Sequence, residues 1–132
     1  MDIKVSVSFG ELIDKITILQ IKTEQIADQD KLSNIRHELN TLQSAWEQSG
    51  LEISIIQAEI NGLKEVNQKL WDIEDAIRLK ESKKRFDDEF IELARAVYFT
   101  NDRRAALKKQ INLKLGSELV EEKSYTDYGD KT

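Results

Sequence analysis

Leu32, Ile35, Leu39, Leu42 and Trp46 follow one another at steps of 3, 4, 3 and 4, and nothing else in the chain restricts its fold so strongly. Side chains that return to one face every third or fourth residue belong to an α-helix, and a sustained repeat of this kind belongs to a helix lying along another. The pattern recurs elsewhere. Leu12, Ile16, Leu19 and Ile26, widened by Ile13, Ile18 and Ile21, predict a first helix ending near Ala27. Ile53, Ile56, Ile60, Leu63, Val66, Leu70, Ile73 and Ile77 predict a third over 51–82, with one short step beside Gly62, where the seam must shift its angle. Phe90, Leu93, Val97, Leu107, Ile111 and Leu115 predict a fourth that stops at Gly116.

The helix ends carry their own signals. Ser8 and Glu11 have capping-box spacing, Asp28 or Asp30 opens the second helix, and Asp87 or Asp88 opens the fourth. Ser49-Gly50 closes the second helix, and Ser49 with Glu52 is spaced to cap the third. With so short a turn between them, helices two and three are expected to form a long antiparallel hairpin over 28–82, resembling a coiled coil. Val5, Val7 and Phe9 alternate with Lys4, Ser6 and Ser8, which reads as a short extended arm whose unpaired edges need a partner. The tail, 117–132, is polar, with Tyr125 and Tyr128 expected to dock on the bundle and the chain from Gly129 onward expected to be disordered. The expected fold class is all-α: one antiparallel helical bundle with a protruding hairpin and a short N-terminal extended arm.

Composition narrows the chemistry. The 132 residues fit one domain, with a formal net charge of −5, which disfavours nucleic acid as a partner. Without Cys and with a single His, His37, thiolate chemistry is excluded and histidine-based metal sites or triads are not expected. No apolar run is long enough for a membrane span, and MDIKVSVSFGELID lacks the basic start and apolar core of a signal peptide. A cytoplasmic protein is expected. The charge is uneven, however: 78–115 carries a net +5 while 51–77 carries −4.

Three polar stripes run beside the apolar seams. On the first helix Glu11, Lys15 and Lys22 share a face, with Asp14 adjacent. On the third, Asn67, Trp71, Glu74 and Arg78 do so, flanked by Asp75. On the fourth, Tyr98, Asn101, Lys108 and Asn112 do so, with Asp102 adjacent and Arg95, Arg103 and Arg104 adding positive charge. Converging stripes would form a polar site between helices, since buried charges must be paired and hydrogen-bonded. Arginine suits a carboxylate or phosphate there, and neighbouring carboxylates suit a general base or Mg²⁺. Glu11/Asp14 and Glu89/Glu92 share the spacing of the Mg²⁺-holding pairs of all-α nucleoside triphosphate pyrophosphohydrolases. Here the pairs stand far apart and in the reverse order, so that pattern is not met. ELIDKI is similar to a run of the helical chorismate mutases, but the basic side chains that would hold a dicarboxylate are not in place.

The runs VSFGELIDKITILQIK, LWDIEDAIR, ELARAVYFTNDRRAALKKQIN and GSELVEEKSY resemble a bacterial family of small proteins classed as a domain of unknown function, over about residues 3–128. The resemblance implies a stand-alone domain in bacteria or their phages, and no reaction, cofactor or substrate. The same runs contain the polar stripes. The function expected first is an interaction or assembly protein that acts through self-association, as a homodimer or with another protein partner, and through a polar site between helices. The alternative is a small all-α enzyme or binding protein for an anionic metabolite, phosphorylated ones included. No cofactor is expected, and Mg²⁺ enters only under that alternative.

Overall fold

The structure, a computed structural model, describes residues 1–129. They form α1 (Phe9–Gln25), α2 (Gln29–Gln48), α3 (Gln57–Ser82) and α4 (Asp88–Leu115), with a 3-10 turn at Ile53–Ile56 before α3 and no strand among the described residues. The fold is an all-α bundle.

Most helix boundaries follow from the caps. Ser8 Oγ accepts the Glu11 N–H at 3.1 Å, but the Glu11 carboxylate bonds to Lys108, so half of the capping box forms. Asp28 accepts the Lys31 N–H and Asp87 the Phe90 N–H, each at 3.0 Å. Gly50 and Gly116 take left-handed φ values of 72° and 68° after α2 and α4. Ser49 departs from the expectation. It closes α2 with its hydroxyl on the Trp46 carbonyl, and α3 begins with no side-chain cap.

The pairing of helices differs from the expected one. Helix α2 packs on α1 and α3 packs on α4, while α1 also touches α3 and α4; among the described residues no Cα of α2 comes within 8 Å of one of α3. The hairpin expected over 28–82 is therefore replaced by one over 57–115. The reason lies at Ile53–Ile56. These residues continue the apolar seam in sequence but form a 3-10 turn, and Ile56 is fully buried against Ile13, Leu63 and Ile111. Anchoring Ile56 there lets α3 leave in a direction of its own instead of running back along α2.

Phe9, Trp46, Ile60, Leu107 and Leu115 surround this cluster, with the Phe9 and Trp46 rings edge to face at 6.5 Å. The start of α1, end of α2, start of α3 and end of α4 thus meet in one core. At the opposite end of the α3–α4 pair, no residue from 74 to 99 is buried. Those two helices form an arm without a core of its own. Residues 1–7 are exposed and without regular secondary structure before α1. The expectation of a disordered end concerns 130–132, which lie outside the described residues, and Gly129.

The α3–α4 turn closes without glycine. Lys84 takes φ 54°, while the Arg85 N–H bonds back to the Lys80 carbonyl and the Lys84 N–H to that of Glu81, each at 3.0 Å. A left-handed β-carbon is strained, so Lys84→Gly is expected to raise stability by about 0.5–1 kcal/mol in urea unfolding. An unchanged midpoint would mean that the Lys84 contact with Glu81 offsets the strain.

Candidate functional site

Six of the residues singled out in the sequence, Glu11, Asp14, Asn67, Arg104, Lys108 and Asn112, converge where α1 crosses α4. Asp14 lies on the inner face of α1, with its side chain 1% exposed. Arg104, on α4, grips it through two parallel bonds, Nε to Oδ1 at 2.9 Å and a guanidinium Nη to Oδ2 at 2.5 Å. Asn67 of α3 completes the set, donating to Asp14 Oδ1 at 3.0 Å and to Thr17 Oγ1 at 2.9 Å; Thr17 in turn donates to the Asp14 carbonyl. One turn away, Lys108 Nζ bonds to Glu11 at 2.7 Å and to Glu121 of the tail at 3.0 Å.

Close approach of the two backbones makes this geometry possible. A β-carbon on Gly10 would sit 2.5 Å from the Lys108 carbonyl oxygen, and the Gly10 N–H donates to Asn112 Oδ1 at 2.7 Å. At Gly62, where α3 meets α4, the nearest atom is instead a Leu107 methyl at 3.0 Å.

The electrostatics follow the pairing. The bidentate bond to Asp14 pushes the Arg104 pKa up, so its charge is fixed. Burial opposes the charge on Lys108, but its bonds to Glu11 and Glu121 outweigh burial and raise its pKa. The Lys108 ammonium holds Glu121 below its ordinary carboxylate value. A second buried carboxylate, Glu59 on α3, is lowered by its bond from Lys114, while its Oε2 has no partner among the described residues.

Beside this network, the tail returns along α4 and leaves an open groove of ≈ 930 Å³. Val97 and Ala105 form its apolar floor; Tyr98, Asn101 and Asp102 line it from α4, and Lys123, Tyr125 and Tyr128 from the tail. Tyr128 stacks against Tyr98 and Phe99, with ring centroids at 5.2 and 5.1 Å, and donates its hydroxyl to Asp102. That bond pushes the Tyr128 pKa up to about 12. Lys109 pairs with Glu122 at 3.3 Å. Tyr128 therefore docks on the bundle while remaining 40% exposed, and Tyr125 is 81% exposed.

Glu11, Asp14, Arg104 and Lys108 meet; Asn101 and Asp102 lie in the adjoining groove. Of the expected α3 stripe only Asn67 joins. Glu74 and Arg78 bond to each other at 3.1 Å on the surface, Asp75 is exposed and Trp71 half-buried. Lys15 and Arg103 are exposed, Lys22 is half-buried, and Arg95 lies over the Phe99 ring at 5.6 Å. Asn67, not Trp71 or Arg78, is the contribution of α3. Thr17 and Glu59 were legible by another signal, since each is a polar residue at seam spacing: Thr17 is four residues from Ile13 and Ile21, and Glu59 three from Ile56.

Every Asp14 oxygen is engaged, which favours a clamp between helices over a free acid or base. Among the described residues no group of three or more His, Asp or Glu side chains is placed to hold a metal ion, and no helix is long and apolar enough to cross a membrane. A family model described as "Family of unknown function (DUF6165)" matches residues 3–129. No curated protein and no solved structure matches the chain.

Proposed function

The chain belongs to this family of unknown function, and from that premise we propose that it is a helical interaction and assembly protein that self-associates through the α3–α4 arm. The observation that carries this reading is the absence of any buried residue from 74 to 99, although the arm bears a full apolar seam. Ile77, Phe90, Leu93 and Val97 are half-buried, and Leu79, Phe86 and Ile91 are 57%, 56% and 53% exposed. Two amphipathic helices cover each other along one stripe only; two arms side by side would give the four-helix arrangement that closes such seams. The Asp14–Arg104 clamp would then hold α1 and α2 at the base of the arm. A cytoplasmic homodimer in a bacterium or phage is part of the same reading.

The alternative, an enzyme or binding protein for an anionic metabolite, draws less support. The basic balance of 78–115 is largely answered within the chain. Lys80 faces Asp87 and Glu89, Arg104 faces Asp14, Lys108 faces Glu11 and Glu121, Lys109 faces Glu122, and Lys114 faces Glu59.

Sedimentation across a wide concentration range tests the proposal. The parent chain is expected to sediment as a dimer. The double variant Leu79→Asp/Ile91→Asp is expected to sediment as a monomer with unchanged helical content, because both side chains are exposed within one chain. A parent that stays monomeric at every concentration, or a variant that still dimerises, would overturn the role of the arm.

A further inference from the structure

We propose that the groove between α4 and the C-terminal tail binds a small organic ammonium ion. Three tyrosine rings border it, Tyr98, Tyr125 and Tyr128, and aromatic faces attract cations through their quadrupole. The groove already shows this chemistry with the chain's own charge: Lys123 Nζ lies 5.8 Å from the centroid of the Tyr125 ring. A lysine on an exposed segment is readily displaced, so its ammonium marks a seat that another ammonium can take.

The charge of the lining points the same way. Among the described residues, Asp102 and Asp127 line the groove against one cation, Lys123, and no arginine lines it. A phosphate or carboxylate ligand would meet the wrong sign. A hard metal ion would need converging oxygen ligands, and no such cluster stands there among the described residues. Carboxylates beside aromatic faces over the apolar floor of Val97 and Ala105 suit a cation that carries its own apolar shell, as alkylated ammonium ions do. The Tyr128 bond to Asp102 holds the ring against Tyr98 and Phe99.

The inference does not rest on self-association, and the two can fail separately, because the titration can be run on the Leu79→Asp/Ile91→Asp chain. Choline would be titrated into the full-length protein at constant ionic strength, followed by amide chemical shifts. Parallel titrations would use the neutral carbon isostere of choline and inorganic phosphate. Choline is expected to saturate and to shift residues 97–105 and 123–128, with the isostere binding about tenfold more weakly. Tyr125→Ala removes an exposed ring and is expected to weaken choline about tenfold without changing the melting temperature. Lys123→Ala removes the competing ammonium and is expected to tighten it several-fold, which a merely structural role for Lys123 would not do. Equal binding of choline and its isostere, shifts outside the groove, preferential binding of phosphate, or no saturation would each overturn the proposal.

Discussion

Arg104→Ala is expected to lower the stability of the folded chain by about 3–5 kcal/mol in urea unfolding, the range for removing one partner of a buried ion pair. The cause is less the lost attraction than what remains. Asp14 is 1% exposed and would keep only Asn67 as a side-chain donor, so a nearly bare carboxylate would sit between α1, α3 and α4. The converse substitution is expected to be milder. Asp14→Asn leaves a guanidinium that is 29% exposed and can turn toward water, at a cost of about 1–2 kcal/mol. This inequality distinguishes desolvation from simple loss of a contact, which would make the two losses equal. If Arg104→Ala does not fold, Arg104→Lys retains the charge without the parallel fork and should lose an intermediate amount. A loss below about 1 kcal/mol for Arg104→Ala would show that the aspartate reaches water by another route.

Gly10→Ala is expected to cost about 3 kcal/mol, at the upper end of the overpacking range, although alanine is the better helix former. The new β-carbon would lie 2.5 Å from the Lys108 carbonyl oxygen and 3.0 Å from Asn112 Oδ1. The first is backbone of α4 and cannot rotate aside. The two helices would have to separate, stretching the Gly10–Asn112 bond and the Glu11–Lys108 pair together. Gly62→Ala provides the control on the same protein. Its nearest neighbour is a Leu107 methyl at 3.0 Å, the far end of a side chain with other rotamers. The gain of about 1 kcal/mol in helix propensity should largely offset that adjustment. Thermal unfolding of both variants compares them directly. A Gly10→Ala protein as stable as Gly62→Ala would mean that α1 and α4 are not locked at this crossing.

The stripe of α3 shows how far a sequence reading of the site could go. Trp71, Glu74 and Arg78 share a helical face with Asn67, flanked by Asp75, yet only Asn67 reaches the clamp. Helical spacing fixes the angle of a residue around its axis but not the point along the axis where another helix crosses. Glu11, Asp14, Arg104 and Lys108 were recognisable as charged residues beside seams, but their pairing required knowing that α1 meets α4 at Gly10. The hairpin was misassigned for a related reason. The seam runs unbroken through Ile53 and Ile56, and nothing local marks those residues as a turn that buries Ile56 in the common core.

Local sequence was enough to establish that this chain is helical and where most of its helices begin and end. Those are consequences of local forces: backbone caps, the 3.6-residue repeat and the absence of proline act within a few residues. Which helices pair, which of the many charges are sealed and which stay wet, and where the tail leaves a groove were decided only by the tertiary structure. These properties depend on where distant segments cross, and the free energy of a charge depends on what displaces the water around it.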